Sequence, residues 1–177
     1  MKIIKTRFKD LIIVKQKNNI DKRGSLRETF NKKILKKNFV FEYCTISKRN
    51  SLRGFHFQYK YQQSKYVSVL KGKILDCVID LRKKSKTFGK VFKIILSEKN
   101  CLSLYIPEGF AHAYFSFDKI NVVYYKLNNF YKPKFESGIN LMDKNLKIKW
   151  PKINCEISKK DKNLQTFNEF CKNQKFL

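Results

Sequence analysis

Hydrophobic and polar residues alternate along this chain in short runs that are separated by turn-forming residues. In Leu52–Gln58, for example, the apolar side chains of Phe55 and Phe57 flank His56, and this period of two is typical of a half-buried strand. Similar runs recur along the chain, and no apolar run is long enough to span a bilayer. The pattern therefore predicts an all-β fold, either a sandwich or a barrel.

The other predicted elements are short. They are two edge or dimer-contact strands at Ile3-Ile4 and Leu11–Val14, a turn at Asp21–Gly24, a strand over 39–47, an irregular stretch from Pro133 to Pro151, and a short helix near Thr166–Lys172. No repeat or linker interrupts the sequence. Because 177 residues suffice for one sizeable core, we expect a single domain over residues 1–177.

Residues 64–81 have the pattern of a β-hairpin with Lys71-Gly72 as a two-residue loop. Both faces of this hairpin are largely apolar, so we expect it to lie inside the fold. Lys65 and Asp76 then share one buried face. Because buried charges are costly unless they are paired or used, these two residues form either an internal ion pair or part of a functional site.

A second hairpin is predicted between strands over 112–117 and 120–127, and a two-residue loop sets His112 directly opposite Tyr125. His56 and His112 are the only histidines of the chain. Imidazole is the side chain best suited to proton transfer at neutral pH, so both are candidates for acid or base chemistry. The alternative for His56 is a hydrogen-bonded core residue.

Composition narrows the function classes. The five cysteines form no CxxC pair and the start of the chain lacks a signal-peptide core, which predicts a reduced, cytoplasmic protein without a disulfide framework or a zinc cluster. Forty Lys and Arg against 14 Asp and Glu give a formal net charge of +26. Either nucleic-acid binding or a genomic bias toward lysine explains this charge. The absence of a nucleic-acid-binding motif favours the bias, and a phosphate-bearing substrate fits both.

The motif Pro107-x-Gly109-x-x-His112 resembles the second signature of the cupin superfamily, whose members are jelly-roll barrels. Cupins that hold a metal usually supply His-x-His from their first signature, and the corresponding residues here are His56-Phe57-Gln58. One ligand is therefore missing. With two histidines in the chain, we expect neither a metal centre nor a cofactor.

A longer series of motifs follows in order between about Asp21 and Phe167. It comprises Arg53–Gln58, Lys65–Val67, Asp76 through Asp80-Leu81-Arg82, Ser85-x-Thr87-Phe88-Gly89, Tyr105–His112, Tyr125-Lys126, Tyr131-x-Pro133 with Glu136, Trp150-Pro151 and Ser158–Asp161. This series resembles the dTDP-4-dehydrorhamnose 3,5-epimerase family. The resemblance implies a cupin-type jelly-roll barrel with a short C-terminal helical segment. It also implies a metal-free homodimer that epimerises nucleotide-linked 4-keto sugars through an enolate.

The resemblance also implies roles for individual residues. His56 is expected to be the general base, oriented by Asp161, with Lys65 stabilising the enolate oxygen and Tyr125 returning a proton to the opposite face. Arg23 and Arg53 are expected to bind the diphosphate, and Asp76 and His112 are expected to form a supporting pair near the sugar. The residues expected to line the rest of the substrate pocket are Glu28, Glu136, Lys160 and Tyr131.

The spacing of Arg53 and His56 conflicts with these roles. Two residues that are three positions apart lie on opposite faces of a regular strand. A bulge at Gly54 is one way to bring both side chains to the same site.

Two departures from the family pattern concern the nucleotide. Leu26 stands where the family commonly has an aromatic residue that stacks on thymine, and Phe41-Glu42-Tyr43 replaces a Gln-x-Asn pair. These departures favour a GDP-linked substrate, including a 4-keto heptose of capsule or lipopolysaccharide synthesis, over a dTDP-linked one. They leave open whether C3 alone or both C3 and C5 are inverted. A sugar-nucleotide 3,4-ketoisomerase and a non-catalytic basic cupin that binds polyanions are the alternative functions.

Overall fold

The computed structural model describes residues 1–152 and 154–173. The strands are β1 (Lys2–Lys5), β2 (Ile12–Lys15), β3 (Lys17–Asp21), β4 (Gly24–Glu28), β5 (Phe41–Lys48), β6 (Leu52–Gln58), β7 (Lys65–Lys71), β8 (Lys73–Asp80), β9 (Val91–Ser97), β10 (Leu102–Ile106), β11 (Phe110–Ser116), β12 (Ile120–Leu127) and β13 (Glu136–Gly138). The helices are α1 (Lys32–Leu35), α2 (Lys159–Lys162) and α3 (Phe167–Lys172), and 3₁₀ turns occur at Pro133–Phe135 and Lys144–Leu146.

Two antiparallel sheets face each other and form the predicted jelly-roll barrel. One sheet has the strand order β1-β2-β10-β7-β12-β5, and the other has the order β13-β6-β11-β8-β9. Strands β3 and β4 form a separate two-stranded hairpin. The all-β fold is confirmed, and so is the placement of the first apolar run at an edge, because β1 is the outermost strand of its sheet.

The main core lies between the two sheets. Val67 and Val69 of β7 pack there with Ile74 and Val78 of β8, and all four are fully buried. Each apolar side chain of this size contributes about 1.5–3 kcal/mol when it is removed from water. Tyr66 of β7 and Cys77 of β8 project from the opposite faces and are also buried, so the prediction that both faces of these strands are largely buried is correct.

The two predicted hairpins are wrong. Strand β7 pairs with β10 and β12, while β8 belongs to the other sheet and pairs with β11 and β9. In the same way, β11 and β12 lie in different sheets. In both places the short turn carries the chain across the core instead of folding it back within one sheet. Alternation fixes the direction in which side chains point, but it does not fix which strand lies alongside.

A buried asparagine and a glycine connect the β7–β8 turn with the β11–β12 turn. Asn121 is fully buried, and its side-chain oxygen accepts hydrogen bonds from the backbone N–H groups of Lys73 and Asp118. Gly72 has φ +84°, and a Cβ there would lie 2.6 Å from the carbonyl oxygen of Ile120. The crossing therefore requires a glycine at this position.

The C-terminal part of the chain carries the predicted helix. α3 begins after Thr166, whose side chain and that of Glu169 form a reciprocal capping box, and it buries Phe170 against the outer face of the barrel. The stretch after Pro133 is mostly irregular, as predicted, except that β13 adds a short strand next to β6. Among the described residues, no helix combines the length and apolarity needed to cross a membrane.

Candidate active site

A cavity of about 540 Å³ opens between the two sheets at the end where β6 faces β12. Seven of the residues that the sequence nominated line it, namely Arg53, His56, Lys65, His112, Tyr125, Lys160 and Asp161. The base candidate His56 comes from one sheet and the acid candidate Tyr125 from the other. A sugar ring bound between them would present opposite faces to these two groups.

His56 is held by a buried carboxylate. Its Nε2 lies 2.9 Å from Asp161 Oδ1, and because an ionised carboxylate can only accept, Nε2 carries the hydrogen. Asp161 lies at the start of α2 and also accepts from the backbone N–H of Gly54 at 3.2 Å. Burial opposes ionisation of Asp161, yet these hydrogen bonds hold the pKa of its carboxyl below the usual value. In the neutral imidazole, the hydrogen bond from Nε2 to Asp161 leaves the lone pair on Nδ1.

A β-bulge brings Arg53 and His56 to the same cavity. On β11, His112 pairs with His56 and Tyr114 pairs with Arg53, so two steps on β11 match three steps on β6. The extra residue falls at Gly54, which has φ +115° and whose Cβ would lie 2.4 Å from the carbonyl oxygen of His112. Only glycine fits this position. The predicted bulge is confirmed.

A second carboxylate faces the other nitrogen of His56. Glu136 Oε1 lies 3.7 Å from His56 Nδ1, which is beyond hydrogen-bonding distance but close enough for electrostatic attraction. Glu136 also accepts hydrogen bonds from the Lys160 ammonium and from the Tyr131 hydroxyl. Burial raises the pKa of Glu136, but Lys160, Tyr131 and His56 together keep it below its usual value. The predicted residues Glu136, Lys160 and Tyr131 therefore form one cluster beside the base.

Lys65 is buried and has no carboxylate partner among residues 1–152 and 154–173. Its Nζ donates to the backbone carbonyl of His56 at 3.4 Å. Burial lowers the pKa of Lys65 to about 8, although the charges of Glu136 and Asp76 oppose this shift. The internal Lys65–Asp76 ion pair that was one of the two expectations is not formed. Lys65 instead presents a desolvated ammonium group to the cavity.

Tyr125 lies on β12 with only 3% of its surface exposed. No hydrogen bond to its hydroxyl is made by any residue in the described part of the chain. Burial, together with nearby Tyr114 and Tyr43, raises the pKa of the Tyr125 phenol well above its ordinary value, so the hydroxyl keeps its proton at neutral pH. The Tyr125 hydroxyl is thus a protonated group that lines the cavity and is available to donate a proton to a bound substrate.

His112, which lines the cavity, forms a buried pair with Asp76, which does not. His112 Nε2 donates to Asp76 Oδ2 at 2.7 Å. The imidazole ring of His112 meets the ring of Tyr125 edge-on, with centroids 5.9 Å apart. His112 therefore does face Tyr125, but it does so across the barrel rather than within a hairpin.

Arg53 is held through its Nε. Its Nε donates to Ser47 Oγ at 3.0 Å, and Ser47 Oγ lies 2.9 Å from the Tyr114 hydroxyl, which is also 2.8 Å from Thr45 Oγ1. Within the described ranges, the two terminal nitrogens of Arg53 make no hydrogen bond to protein. An arginine clamped in this way offers its outer edge to an anion.

Five nominated residues do not line the cavity; Asp76, Glu136 and Tyr131 belong to hydrogen-bonded clusters that include lining residues, whereas Arg23 and Glu28 do not. Arg23 lies in the turn of the β3–β4 hairpin, exposed and paired with Asp21 at 2.7 Å. Glu28 lies at the end of β4, where it accepts from Asn31. Both residues belong to the separate β3–β4 hairpin, and neither lines the cavity that contains His56.

Tyr43, Thr45 and Tyr114 are among the cavity-lining residues that were not nominated from the sequence. Tyr43 and Thr45 alternate along β5 with Ser47, so all three project from one face of that strand. Tyr114 follows His112 by two positions on β11 and faces the same way. The period-two rule applied to these strands would have found them.

The described residues hold no group of three or more His, Cys, Asp and Glu side chains arranged to bind a metal ion. The histidines of the two histidine–carboxylate pairs lie on the same sheet, since His56 of β6 is the register partner of His112 on β11, and each pair is closed by a direct hydrogen bond. The site therefore offers acid and base groups rather than a ligand set.

Known proteins match the chain over almost its whole length. The family profile described as dTDP-4-dehydrorhamnose 3,5-epimerase matches residues 5–169. The enzyme of that name from Shigella flexneri is 40% identical over 174 residues, covering 94% of this chain and 96% of the relative. The one from Methanothermobacter thermautotrophicus is 38% identical over 176 residues, covering 95% of each.

A solved structure shares the fold closely. The dTDP-6-deoxy-D-glucose-3,5-epimerase of Legionella pneumophila, in complex with dTDP-4-keto-L-rhamnose, superposes with a TM-score of 0.90 at 34% identity and covers 94% of this chain and 93% of its own. Fold and matches define a cupin-type isomerase. The chain belongs to the dTDP-4-dehydrorhamnose 3,5-epimerase family.

The expected preference for a GDP-linked substrate and for a heptose has no support in these comparisons. The relatives are named for dTDP-linked sugars. The substitutions that suggested GDP lie at Leu26 and over 41–43, and neither changes the acid and base groups of the cavity. The structure places Leu26 on the exposed β3–β4 hairpin and Tyr43 against Tyr125 in the cavity, and neither position by itself identifies the nucleobase.

Proposed function

We propose that this enzyme epimerises a dTDP-linked 4-keto-6-deoxy sugar at C3 and C5. The observation that carries the proposal is the placement of the His56–Asp161 dyad and the Tyr125 hydroxyl on opposite sheets around one cavity. Inversion at a carbon next to a ketone needs a base on one face and an acid on the other. The relatives' names support the dTDP-linked sugar and the pair of carbons.

The base step follows from the state of the imidazole. Nε2 donates to Asp161, so the lone pair of Nδ1 is free to remove the proton next to the ketone. The imidazolium that forms lies between the carboxylates of Asp161 and Glu136, which stabilise its charge. The ammonium of Lys65 stabilises the negative charge that develops on the ketone oxygen.

The acid step uses Tyr125. Its hydroxyl gives a proton to the enolate carbon from the face opposite His56, and the resulting phenolate is reprotonated from solvent as His56 loses its proton. Proton transfer by such a group contributes typically 10²–10⁴-fold to the rate. The terminal nitrogens of Arg53 hold the diphosphate, since a planar guanidinium matches two phosphate oxygens.

We further propose that the protein works as a homodimer in which the β3–β4 hairpin reaches the cavity of the partner subunit. The hairpin carries Arg23, which the family resemblance assigns to the diphosphate, yet it lies away from its own cavity. Its apolar side chains Ile20 and Leu26 are 78% and 69% exposed, as expected of a surface that a partner covers. A role in the synthesis of a surface polysaccharide remains a prediction.

Incubation in deuterated water tests this function. The purified enzyme is mixed separately with the dTDP-linked and the GDP-linked 4-keto-6-deoxy sugar, and NMR follows deuterium at C3 and C5. We expect incorporation at both carbons of the dTDP-linked sugar and inversion there. Turnover of the GDP-linked sugar alone, or a keto shift from C4 to C3 without inversion, would overturn the proposal.

A further inference from the structure

The orientation of the Tyr125 ring depends on packing, because its hydroxyl has no hydrogen-bond partner in the part of the chain that the structure describes. Rotation of a tyrosine about χ1 carries its hydroxyl to a different place, whereas rotation about χ2 leaves the hydroxyl oxygen on the ring axis. An acid that must deliver a proton to one face of a sugar therefore needs neighbours that hold its ring. On β7 the residue next to Tyr125 is Val67, which offers no flat surface.

Tyr43 supplies that flat surface. It is the register partner of Tyr125 on β5, and the two rings are stacked with centroids 4.7 Å apart and an interplanar angle of 21°. His112 meets Tyr125 edge-on at 67°, so the two contacts restrain the ring in different directions. Tyr43 itself lines the cavity and is 38% exposed.

The hydroxyl of Tyr43 makes no hydrogen bond to any described residue, so Tyr43 contacts the acid through its ring alone. Phe41 packs against the ring of Tyr43, with centroids 5.7 Å apart, and Phe130 packs against Phe41 at 6.2 Å. The stack on Tyr125 is therefore backed by further aromatic rings. Such contacts contribute beyond simple burial because they prefer a defined geometry.

We propose that Tyr43 is a positioning residue whose ring fixes the orientation of the Tyr125 phenol for proton delivery. This inference rests on the proposed function for its catalytic readout. The ring is the acting part, and the hydroxyl is dispensable. Tyr43 also covers the acid from solvent, which keeps the phenol protonated alongside the effect of burial.

Two variants separate the ring from its hydroxyl. Tyr43→Phe keeps the ring, whereas Tyr43→Leu keeps apolar bulk and removes the stack. The readout is the ratio of net inversion to solvent exchange on the dTDP-linked sugar in deuterated water. We expect Tyr43→Phe to retain the wild-type ratio. Tyr43→Leu should lower it by roughly tenfold to a hundredfold, the cost of misplacing a reacting group by about 1 Å.

A double variant and a substrate-free measurement complete the test. In a Tyr125→Phe background, Tyr43→Leu should leave the ratio unchanged, since no acid remains to be positioned. In the free protein with ¹³C-labelled tyrosine, NMR should show faster flipping of the Tyr125 ring in Tyr43→Leu than in Tyr43→Phe.

The outcomes are distinct. An unchanged ratio in Tyr43→Leu, or an equal loss in Tyr43→Phe, overturns the proposal. If the wild-type enzyme does not turn over the sugar, the proposed function fails. In that case, ring flipping still decides whether Tyr43 fixes the ring, and equal flip rates in both variants overturn it.

Discussion

The two walls of the cavity hold their proton-transfer groups in different ways. On the β6 wall, His56 is fixed by the Asp161 hydrogen bond, and Glu136 lies close to its second nitrogen. On the β12 wall, Tyr125 has no hydrogen bond within the described ranges and is held by the rings of Tyr43 and His112. The base is controlled by charge and the acid by packing and burial.

This difference follows from what each group must do. A base that becomes a cation is helped by carboxylates, which favour its protonated form. An acid that must stay protonated until it acts is helped by an apolar environment, which disfavours the phenolate. Variants that change charge should therefore affect the β6 wall, and variants that change shape should affect the β12 wall.

The largest effect is expected for His56→Asn. The asparagine amide cannot accept a proton, so the rates of solvent exchange and of inversion should both fall by roughly 10²–10⁴-fold. The measurement is deuterium incorporation at the carbons next to the ketone. Circular dichroism and the melting temperature serve as the folding control, and near-normal exchange in a folded variant would remove His56 as the base.

Asp161→Asn should have a smaller effect on the same wall. The amide still meets Nε2 but removes the negative charge beside the imidazolium, so exchange and inversion should fall together, by about 10- to 100-fold if a charged hydrogen bond of roughly 1.5–3 kcal/mol is lost. The ratio of the two rates should stay constant. A change in that ratio would show that the dyad also serves the acid step.

The pH dependence tests Lys65. Burial lowers its pKa to about 8, so the ammonium that stabilises the enolate is present below that pH and is lost as pH rises through it. We therefore expect kcat/KM to fall above pH about 8, by roughly tenfold per pH unit. The matched control is Lys65→Arg, whose guanidinium stays charged. Persistence of the same alkaline limb in the active arginine variant would assign it to another group.

Ser47→Ala should have the smallest effect. The Ser47 hydroxyl accepts from Arg53 Nε, and its loss frees the guanidinium without removing it. We expect KM for the nucleotide sugar to rise severalfold, in line with the loss of roughly 0.5–1.5 kcal/mol for one hydrogen bond, while kcat stays close to wild type. Arg53→Ala provides the upper limit for the same KM effect. A Ser47→Ala variant with unchanged KM would contradict the claim that the hydrogen bond from Arg53 Nε to Ser47 positions the guanidinium for the diphosphate.

The acid and base residues could be predicted from the sequence, whereas the strands that lie next to them could not. His56, Lys65, Tyr125 and Asp161 were nominated together through their motifs, and the structure brings all four to one cavity. The odd spacing of Arg53 and His56 suggests a bulge at Gly54 as one way to bring both side chains to one site, and the register of β6 and β11 contains it. These inferences depend on residue identity at fixed positions, which the sequence shows directly.

Strand neighbours were missed because they depend on long-range pairing. One residue, Gly72, separates β7 from β8, and this spacing suits a tight turn within a sheet as well as a crossing between sheets. The stack of Tyr43 on Tyr125 requires that β5 pairs with β12, which are about eighty residues apart in sequence. Nothing local in either strand specifies that partner.

The stereochemical behaviour of Tyr125→Phe tests the central claim most directly. The base and Lys65 remain in this variant, so proton removal should continue while return from the opposite face is lost. We predict that deuterium exchange with retained configuration outruns net inversion, with the inversion rate reduced by roughly 10²–10⁴-fold. Both rates are read by NMR on one sample in deuterated water. An unchanged ratio of exchange to inversion would contradict the assignment of acid and base to opposite walls.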